Sequence, residues 1–302
     1  MRIKSNRSFL STVIAAFQWR ILNFSQRRFE MQNLPRLLCL PSDFLGKHVI
    51  CNGVFERETM EFVASRIDLC NMNSKNQTVF LDIGANIGNH TCFFASRFDK
   101  TISAEPSRVV ASILQANILL NDLQDRVTIL EAAISNHNGS AMHYTSKGDN
   151  LGGGSLDDTR RDTVTAVGKE VQVVTGDKAV SQIASKDSII SFVKIDVEGH
   201  EYEVIQGLAA TLRRDQPVML FEADAGPSGQ NCFDLLRELG YCRFMEIIGD
   251  ADADRPALVR GIRRIFAGSR SMEVREILAP EPRYYESILA LPPKYAHCVD
   301  RI

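Results

Sequence analysis

The stretch TVFLDIGANIG, residues 78–88, decides the fold of this chain. It begins with a short apolar run of the kind that forms a buried strand, and a loop containing Gly84 and Gly88 follows at once. Because glycine has no Cβ, the backbone of such a loop can approach a ligand closely. A helix is predicted from about His90, and the order strand, glycine loop, helix is typical of sheets that bind a cofactor beyond the carboxyl ends of their strands.

Predicted strands and helices alternate along the chain on both sides of this loop. Such alternation predicts stacked βαβ units, an α/β fold and a doubly wound, mostly parallel sheet. Within the helix at 108–121, Val109, Ile113, Ala116 and Leu120 share one face, which we expect to be buried. The predicted helices are 56–70, one from about 90, 108–121, 201–213 and 233–239; the predicted strands are 78–83, 101–104, 127–134, 189–195, 217–221, 242–248 and 287–291.

The glycine loop does not fit two phosphate-binding patterns. A dinucleotide fingerprint needs glycine where Asn86 stands, and the Gly-Lys-Ser/Thr of a P-loop is absent. Glu105 ends the second predicted strand, where a carboxylate can accept hydrogen bonds from both ribose hydroxyls. Asp82 can orient the loop or accept a hydrogen bond from a cationic amino group. An acid, a glycine loop and a ribose-binding acid suit S-adenosylmethionine, which has a ribose and an amino acid but no phosphate. The predicted cofactor residues are Asp82, Gly84, Asn86, Gly88, Glu105 and Pro106.

A second group of polar residues follows the strand predicted at 189–195. Asp196, Glu198 and His200 alternate at its carboxyl end, where catalytic groups lie in such sheets. They could orient a substrate hydroxyl and accept its proton, bind a divalent ion, or, for His200, merely begin a helix. We predict all three as catalytic and assign no metal site. Glu222 ends the next strand in the same way and is a further candidate.

Composition excludes several classes of protein. The chain has 302 residues, 44% of them hydrophobic, and a net charge of -2, which argues against a dedicated nucleic-acid binder. No apolar stretch approaches the ~18 residues of a membrane span. The seven cysteines are scattered and form no Cys-x-x-Cys pair, so the sequence favours reduced thiols and a cytoplasmic protein.

The N-terminal segment differs from the rest of the chain. Its first thirty residues carry six basic side chains against one acid, Glu30, and therefore a charge of +5, which leaves -7 for the remainder. Apolar residues recur at helical spacing from Leu10 to Phe24 and predict a basic amphipathic helix. The simpler interpretation is an accessory helix packed on the main domain; the alternatives are contact with an anionic membrane surface and a targeting segment.

We therefore divide the chain into an N-terminal extension, 1–50, and a main domain, 51–302, with a charged insertion at 250–282. The glycine run at 152–154 predicts a loop that could cover a substrate or cofactor.

Three motifs resemble the FkbM family of S-adenosylmethionine-dependent methyltransferases. They are FLDIGANIG at 80–88, AEP at 104–106 and VKIDVEGHEYEVIQG at 193–207. The resemblance extends over about 53–240, and YESILALP at 285–292 is similar to the last strand of the family.

The resemblance implies a class I methyltransferase fold, which is Rossmann-like, with seven strands of which the last is antiparallel. It also implies cofactor contacts by Asp82, Gly84, Asn86, Gly88 and Glu105, and O-methylation of a sugar, glycan or other small molecule. Two alternatives stay open: a non-catalytic cofactor-binding scaffold, and a methyltransferase acting on protein or nucleic acid. A nucleic-acid amino-methyltransferase would be expected to carry an Asn/Asp-Pro-Pro-aromatic run after the fourth strand, and 196–199 reads DVEG.

Overall fold

A computed structural model describes residues 9–71, 76–145, 154–156, 167–248 and 272–299. Most of the insertion predicted at 250–282, and Gly152 and Gly153 of the glycine run, lie outside these residues. The helices are α1 Phe9–Met31, α2 Phe44–Asn52, α3 Arg57–Asn71, α4 Asn89–Phe94, α5 Arg108–Leu120, α6 Gly176–Ile183, α7 Glu201–Gly207, α8 Ala209–Asp215 and α9 Pro227–Glu238. The strands are β1 Gln77–Ile83, β2 Lys100–Ala104, β3 Val127–Leu130, β4 Ala133–Ser135, β5 Gly139–Thr145, β6 Val167–Thr175, β7 Ser188–Ile195, β8 Val218–Ala223, β9 Arg243–Ile248, β10 Glu273–Glu276 and β11 Tyr285–Leu291.

The central sheet has the order β10-β9-β11-β8-β7-β1-β2-β3. Strands β3, β2, β1, β7 and β8 run parallel to one another, whereas β11 is antiparallel to both β8 and β9. This confirms the predicted α/β fold, its mostly parallel sheet and its antiparallel last strand. The prediction of seven strands was one short, because β10 pairs with β9 at the edge of the sheet. Strand order reverses beside β1, which is where doubly wound sheets place their ligands.

Alternate residues of β1 enter two different apolar clusters. Val79, Leu81 and Ile83 join the larger one, and Phe80 points to the other, where its ring stacks on Phe192 at 5.0 Å between centroids. All four side chains are buried. The period of two therefore places apolar side chains on both faces of the sheet, as expected for a central strand covered on each side.

The predicted buried face of α5 was wrong. Val109 is 56% exposed and Leu120 is 44% exposed, whereas Leu114 and Asn117 are fully buried. Asn117 explains why a different side of α5 is buried, because its amide group donates hydrogen bonds to the carbonyl oxygens of Ile87 and Leu38. A buried amide that is fully hydrogen-bonded is tolerated in a core. A prediction based only on the spacing of apolar residues does not detect such a residue.

Two predicted elements are each divided. The strand expected at 127–134 is β3 followed by β4, and β4 belongs to a separate three-stranded sheet of order β4-β6-β5. The helix expected at 201–213 is α7 followed by α8, with a break at Leu208. The second sheet matters for function, because β4 and β5 form part of the wall of the cavity described below.

The N-terminal helix is confirmed as α1, but the described residues do not cover the apolar face that we expected to pack on the main domain. Val13, Phe17 and Phe24 are 48%, 66% and 73% exposed. The following segment is firmly attached: Leu38 exchanges two hydrogen bonds with Asn117 of α5. No helix of the described residues has the length and apolar character needed to cross a membrane.

Candidate active site

The glycine loop is fixed to β2 by its backbone. The amides of Gly84 and Ala85 both donate to the carbonyl oxygen of Ala104, each at 3.0 Å. Gly84 has a φ of +75°, and a Cβ at this position would lie 1.8 Å from the carbonyl oxygen of Asp196. This is far inside van der Waals contact, so the loop requires glycine here. The close approach of Gly84 to Asp196 brings the two sequence motifs together.

Glu105 holds the other side of the same loop. Its carboxylate accepts a hydrogen bond from the Asn86 amide at 3.0 Å and another from the Ser107 amide at 2.8 Å. Each oxygen therefore keeps a further lone pair that can accept from a ligand hydroxyl. Burial raises the pKa of Glu105 to about 7, against the opposing effect of the two amides.

Lys194 is a buried cation that the sequence interpretation missed. It is 4% exposed, and its Nζ donates to Asp196 Oδ2 at 3.0 Å and to the carbonyl oxygen of Gly84 at 3.3 Å. Asp82 Oδ1 lies 3.9 Å away. A lysine one residue before the end of a largely apolar strand was the available signal, because lysine is almost never fully buried unless it is paired.

Lys194 and Asp196 each favour the charged form of the other. Although burial favours the neutral amine, the carboxylates of Asp196 and Asp82 hold the pKa of Lys194 above its usual range. Burial likewise opposes the ionised form of Asp196, but the Lys194 ammonium outweighs it and lowers the pKa of that carboxyl. Asp196 is therefore ionised at neutral pH, with its side chain 32% exposed.

Asp82 supports the site from behind. It is fully buried, and its Oδ2 accepts a hydrogen bond of 2.6 Å from the Thr91 hydroxyl of α4. Its second oxygen, Oδ1, faces Lys194 and makes no hydrogen bond with any described residue. Asp82 and Gly88 do not reach the cavity surface; Gly88 instead begins α4, with a φ of +91° and Leu114 packed against its Cα.

One cavity of about 260 Å³ collects the remaining predicted residues. It lies at the carboxyl ends of β1, β2, β7 and β8, where the fold predicts it. Among the described residues, its titratable lining consists of six carboxylates, one lysine, three histidines and one tyrosine, and no arginine is found there. Of the predicted site residues, those that line it are Gly84, Asn86, Glu105, Pro106, Asp196, Glu198, His200 and Glu222.

His200 lies at the cavity wall with partners on both sides of its ring. Its Nε2 is 2.9 Å from the hydroxyl oxygen of Ser135, and its Nδ1 is 3.5 Å from Glu203 Oε2. It directly precedes α7. Glu198 has a φ of +55°, and its backbone carbonyl oxygen accepts a hydrogen bond from Ser155. Catalytic use of His200 and Glu198 stays a prediction.

Glu222 and Tyr284 face the Asp196 side of the cavity. The Tyr284 hydroxyl donates to Glu222 Oε2 at 2.6 Å. Burial, followed by the negative charge of Asp196, raises the pKa of Glu222 to about 9. Glu222 is therefore protonated at neutral pH, and the ionised carboxylate beside it contributes to this.

Several lining residues were not predicted as site residues. Phe44 belongs to α2 and lies 5.8 Å from Phe55, measured between ring centroids. His90 Nε2 is 3.2 Å from Glu56 Oε2. His143, from the second sheet, packs on Gly154. No local motif marks these residues, because their positions depend on contacts between distant segments.

The described residues contain no group of three or more His, Cys, Asp or Glu side chains that could hold a metal ion. Asp196 and Glu198, which the sequence allowed as ligands, do not form such a group with His200.

Comparison with known proteins gives one family. The model of the methyltransferase FkbM domain matches residues 82–243, more than half of the chain. No curated protein matches significantly.

Solved structures show distant similarity. The methyltransferase FkbM of Methylobacillus flagellatus has 16% identity and a TM-score of 0.37, over 54% of this chain but only 36% of that longer one. An O-methyltransferase of Bacillus cereus in complex with SAH has 14% identity and a TM-score of 0.37, over 90% of each chain. The precorrin 8w decarboxylase of Methanobacterium thermoautotrophicum has 14% identity and a TM-score of 0.45, over 85% of this chain and 98% of that one.

Proposed function

Because the chain belongs to the methyltransferase FkbM family, we propose that it transfers a methyl group from S-adenosylmethionine to a hydroxyl oxygen of a sugar, glycan or other small molecule. The observation that carries this proposal is that Glu105, beside the glycine loop, and Asp196, after β7, line the same cavity. Glu105 is suited to bind the cofactor, and Asp196 is suited to bind a hydroxyl acceptor.

The cofactor half consists of Gly84, Asn86, Glu105 and Pro106. Glu105 would accept hydrogen bonds from the ribose hydroxyls through its free lone pairs, and the backbone of Gly84 allows close approach. Even with Glu222 protonated, the other five lining carboxyl groups exceed the single lysine, so the cavity attracts a cation. The cofactor is such a cation, and its sulfonium supplies an already activated methyl group.

The acceptor half centres on Asp196. Its ionised carboxylate can accept a hydrogen bond from a hydroxyl group and fix the direction of the oxygen lone pair. Lys194 holds this carboxylate in place at 3.0 Å. Alignment of reacting atoms supplies much of the rate in a transfer of this kind. We propose His200 as the acceptor of the leaving proton, directly or through Ser135.

The competing classes are less well supported. A nucleic-acid substrate would call for basic side chains near the cavity, whereas the described lining has one lysine and no arginine. A purely cofactor-binding scaffold has no need of an ionised carboxylate held by a buried lysine.

Calorimetry and turnover test the proposal separately. Glu105→Gln should weaken S-adenosylmethionine binding at least tenfold, whereas Glu238→Gln, the same change on the exposed end of α9, should not. With methyl-labelled cofactor and fractionated lysate, label should enter a small molecule or glycan. Asp196→Asn should reduce this incorporation, and His200→Ala should do so less, with cofactor affinity near that of the unaltered chain. Label in protein or RNA, or binding without transfer to any fraction, would favour the alternatives.

A further inference from the structure

Helix α1 presents a row of large apolar side chains to solvent. Val13, Ile14, Phe17, Ile21 and Phe24 are all between 48% and 73% exposed. With 3.6 residues per turn, these five positions fall within about 100° of the helix circumference. We refer to these five residues as the outer face of α1. Single exposed apolar residues are ordinary, but a contiguous row of them marks an interaction surface.

The attachment of α1 to the rest of the chain leaves this face uncovered by the described residues. The helix contacts α2 near its C-terminal end, where the ring of Phe29 packs on Gly53. The Phe29 carbonyl oxygen also accepts the amides of Gln32 and Leu34 in the turn that follows. By helical geometry, Phe29 lies on another side of α1 than Phe17 and Phe24. The body therefore holds the end of the helix and leaves the outer face accessible.

Basic residues accompany the outer face. Arg20 and Arg27 lie at one edge of the same arc and Arg28 lies within it, one turn beyond Phe24; all three are exposed. In the sequence, the first thirty residues carry +5 and the remainder -7. An anionic surface would attract this segment and repel the rest, so the charge distribution also sets an orientation.

From these observations we propose that the outer face of α1 docks on the anionic surface of a lipid bilayer. The apolar side chains enter the boundary between headgroups and acyl chains, and the arginine side chains extend their guanidinium groups to lipid phosphates. A second copy of this chain is a poorer occupant, because it would bring arginines of two like-charged segments together.

Sedimentation with lipid vesicles tests the proposal on the full chain. We expect binding to vesicles that contain phosphatidylglycerol in phosphatidylcholine, little binding to phosphatidylcholine alone, and loss of binding at high salt. Each basic residue contributes about 1 kcal/mol near such a surface, which is about fivefold in affinity. Replacement of Arg20, Arg27 and Arg28 by Gln should therefore lower binding about 100-fold.

The apolar part of the surface has its own matched control. Phe17→Ser with Phe24→Ser should lower vesicle binding at least tenfold. Leu278→Ser removes a side chain that is 86% exposed elsewhere in the chain and should leave binding unchanged. Affinity for S-adenosylmethionine in all variants reports folding and should not change. Equal binding to both kinds of vesicle, unaltered binding of the Phe17/Phe24 variant, or a dimer in light scattering that this variant dissociates, would each overturn the proposal.

Discussion

The two halves of the cavity are built in different ways. The cofactor half is held by backbone: Gly84 and Ala85 donate to Ala104, and Glu105 accepts from the backbone amides of Asn86 and Ser107. The acceptor half is held by side chains, with Lys194 between Asp82 and Asp196 and with Tyr284 on Glu222.

The cofactor half is therefore constrained mainly by steric fit, and the acceptor half mainly by electrostatics. A backbone loop at a fixed distance from its neighbour tolerates almost no change in the residues that form it. A set of charged side chains tolerates changes of shape but not of charge balance. We therefore expect mutation of Lys194 to act through unpaired charge and mutation of Gly84 to act through steric overlap.

The largest effect is expected at Lys194. Lys194→Met leaves the carboxylates of Asp82 and Asp196 close together and without their cation, and breaking a buried ion pair in this way typically costs about 3–5 kcal/mol. The free energy of unfolding in urea measures the loss. Lys186→Met, on an exposed loop lysine, is the control. In the double variant Lys194→Met with Asp196→Asn, one of the two carboxylates left without a cation is neutral. This variant should recover part of the stability, and no recovery would contradict the electrostatic explanation.

Gly84→Ala tests the steric half. The new Cβ would meet the Asp196 carbonyl oxygen at 1.8 Å in a backbone conformation with φ of +75°. Strain at such a φ together with overpacking predicts a loss of about 2–4 kcal/mol. Gly226→Ala is the control, because a Cβ there has no atom within 4 Å, and alanine at that helix N-cap costs at most about 1 kcal/mol. Equal losses in the two variants would show that the contact with Asp196 is not constraining.

The sequence predicts features that depend on local spacing, and it does not predict those that depend on contacts between distant segments. The glycine loop, Glu105 and the parallel strands follow from local spacing and strand burial, so they were found. The buried face of α5 depends on the hydrogen bonds of Asn117 with Ile87 and Leu38, which lie about 30 and 79 residues away. Spacing within one helix contains no information on such partners.

The acceptor half shows the same limit. Asp196 and Glu222 could be found because each ends a strand, but Tyr284 donates to Glu222 across 62 residues. Phe44, Phe55 and His143 likewise reach the cavity only through packing between α2, the following loop and the second sheet. Lys194 differs, because its charge within an apolar strand was visible in the sequence and was not used.

Cofactor affinity should depend on pH through Glu105. Burial raises the pKa of Glu105 to about 7, so the folded chain holds this proton over a pH range in which the unfolded chain has lost it. Its contribution to stability is present at low pH and is lost as the pH rises through about 7. Ribose hydroxyls donate best to the ionised form, at about 1–3 kcal/mol for a charged acceptor. Affinity for S-adenosylmethionine should therefore rise from pH about 6 to about 8.

Calorimetry at these two pH values measures this dependence. The isosteric Glu105→Gln variant should bind more weakly and lose the part of the pH dependence that belongs to this carboxyl. A variant that keeps the full rise would assign the titration to another group.

The smallest effect is expected at Tyr284, whose side chain is half exposed. Because the pKa of Glu222 is raised to about 9, Tyr284 donates to a neutral acid at pH about 7, and loss of one such hydrogen bond in Tyr284→Phe should cost about 1 kcal/mol. Above the pKa the acceptor is a carboxylate, and charge-assisted hydrogen bonds are about twice as strong. The difference in unfolding free energy between the unaltered chain and Tyr284→Phe should therefore grow when measured at pH about 10 instead of about 7. In a Glu222→Gln background the acceptor cannot ionise, so the same difference should stay constant with pH; if it still grows, Tyr284 acts through a group other than Glu222.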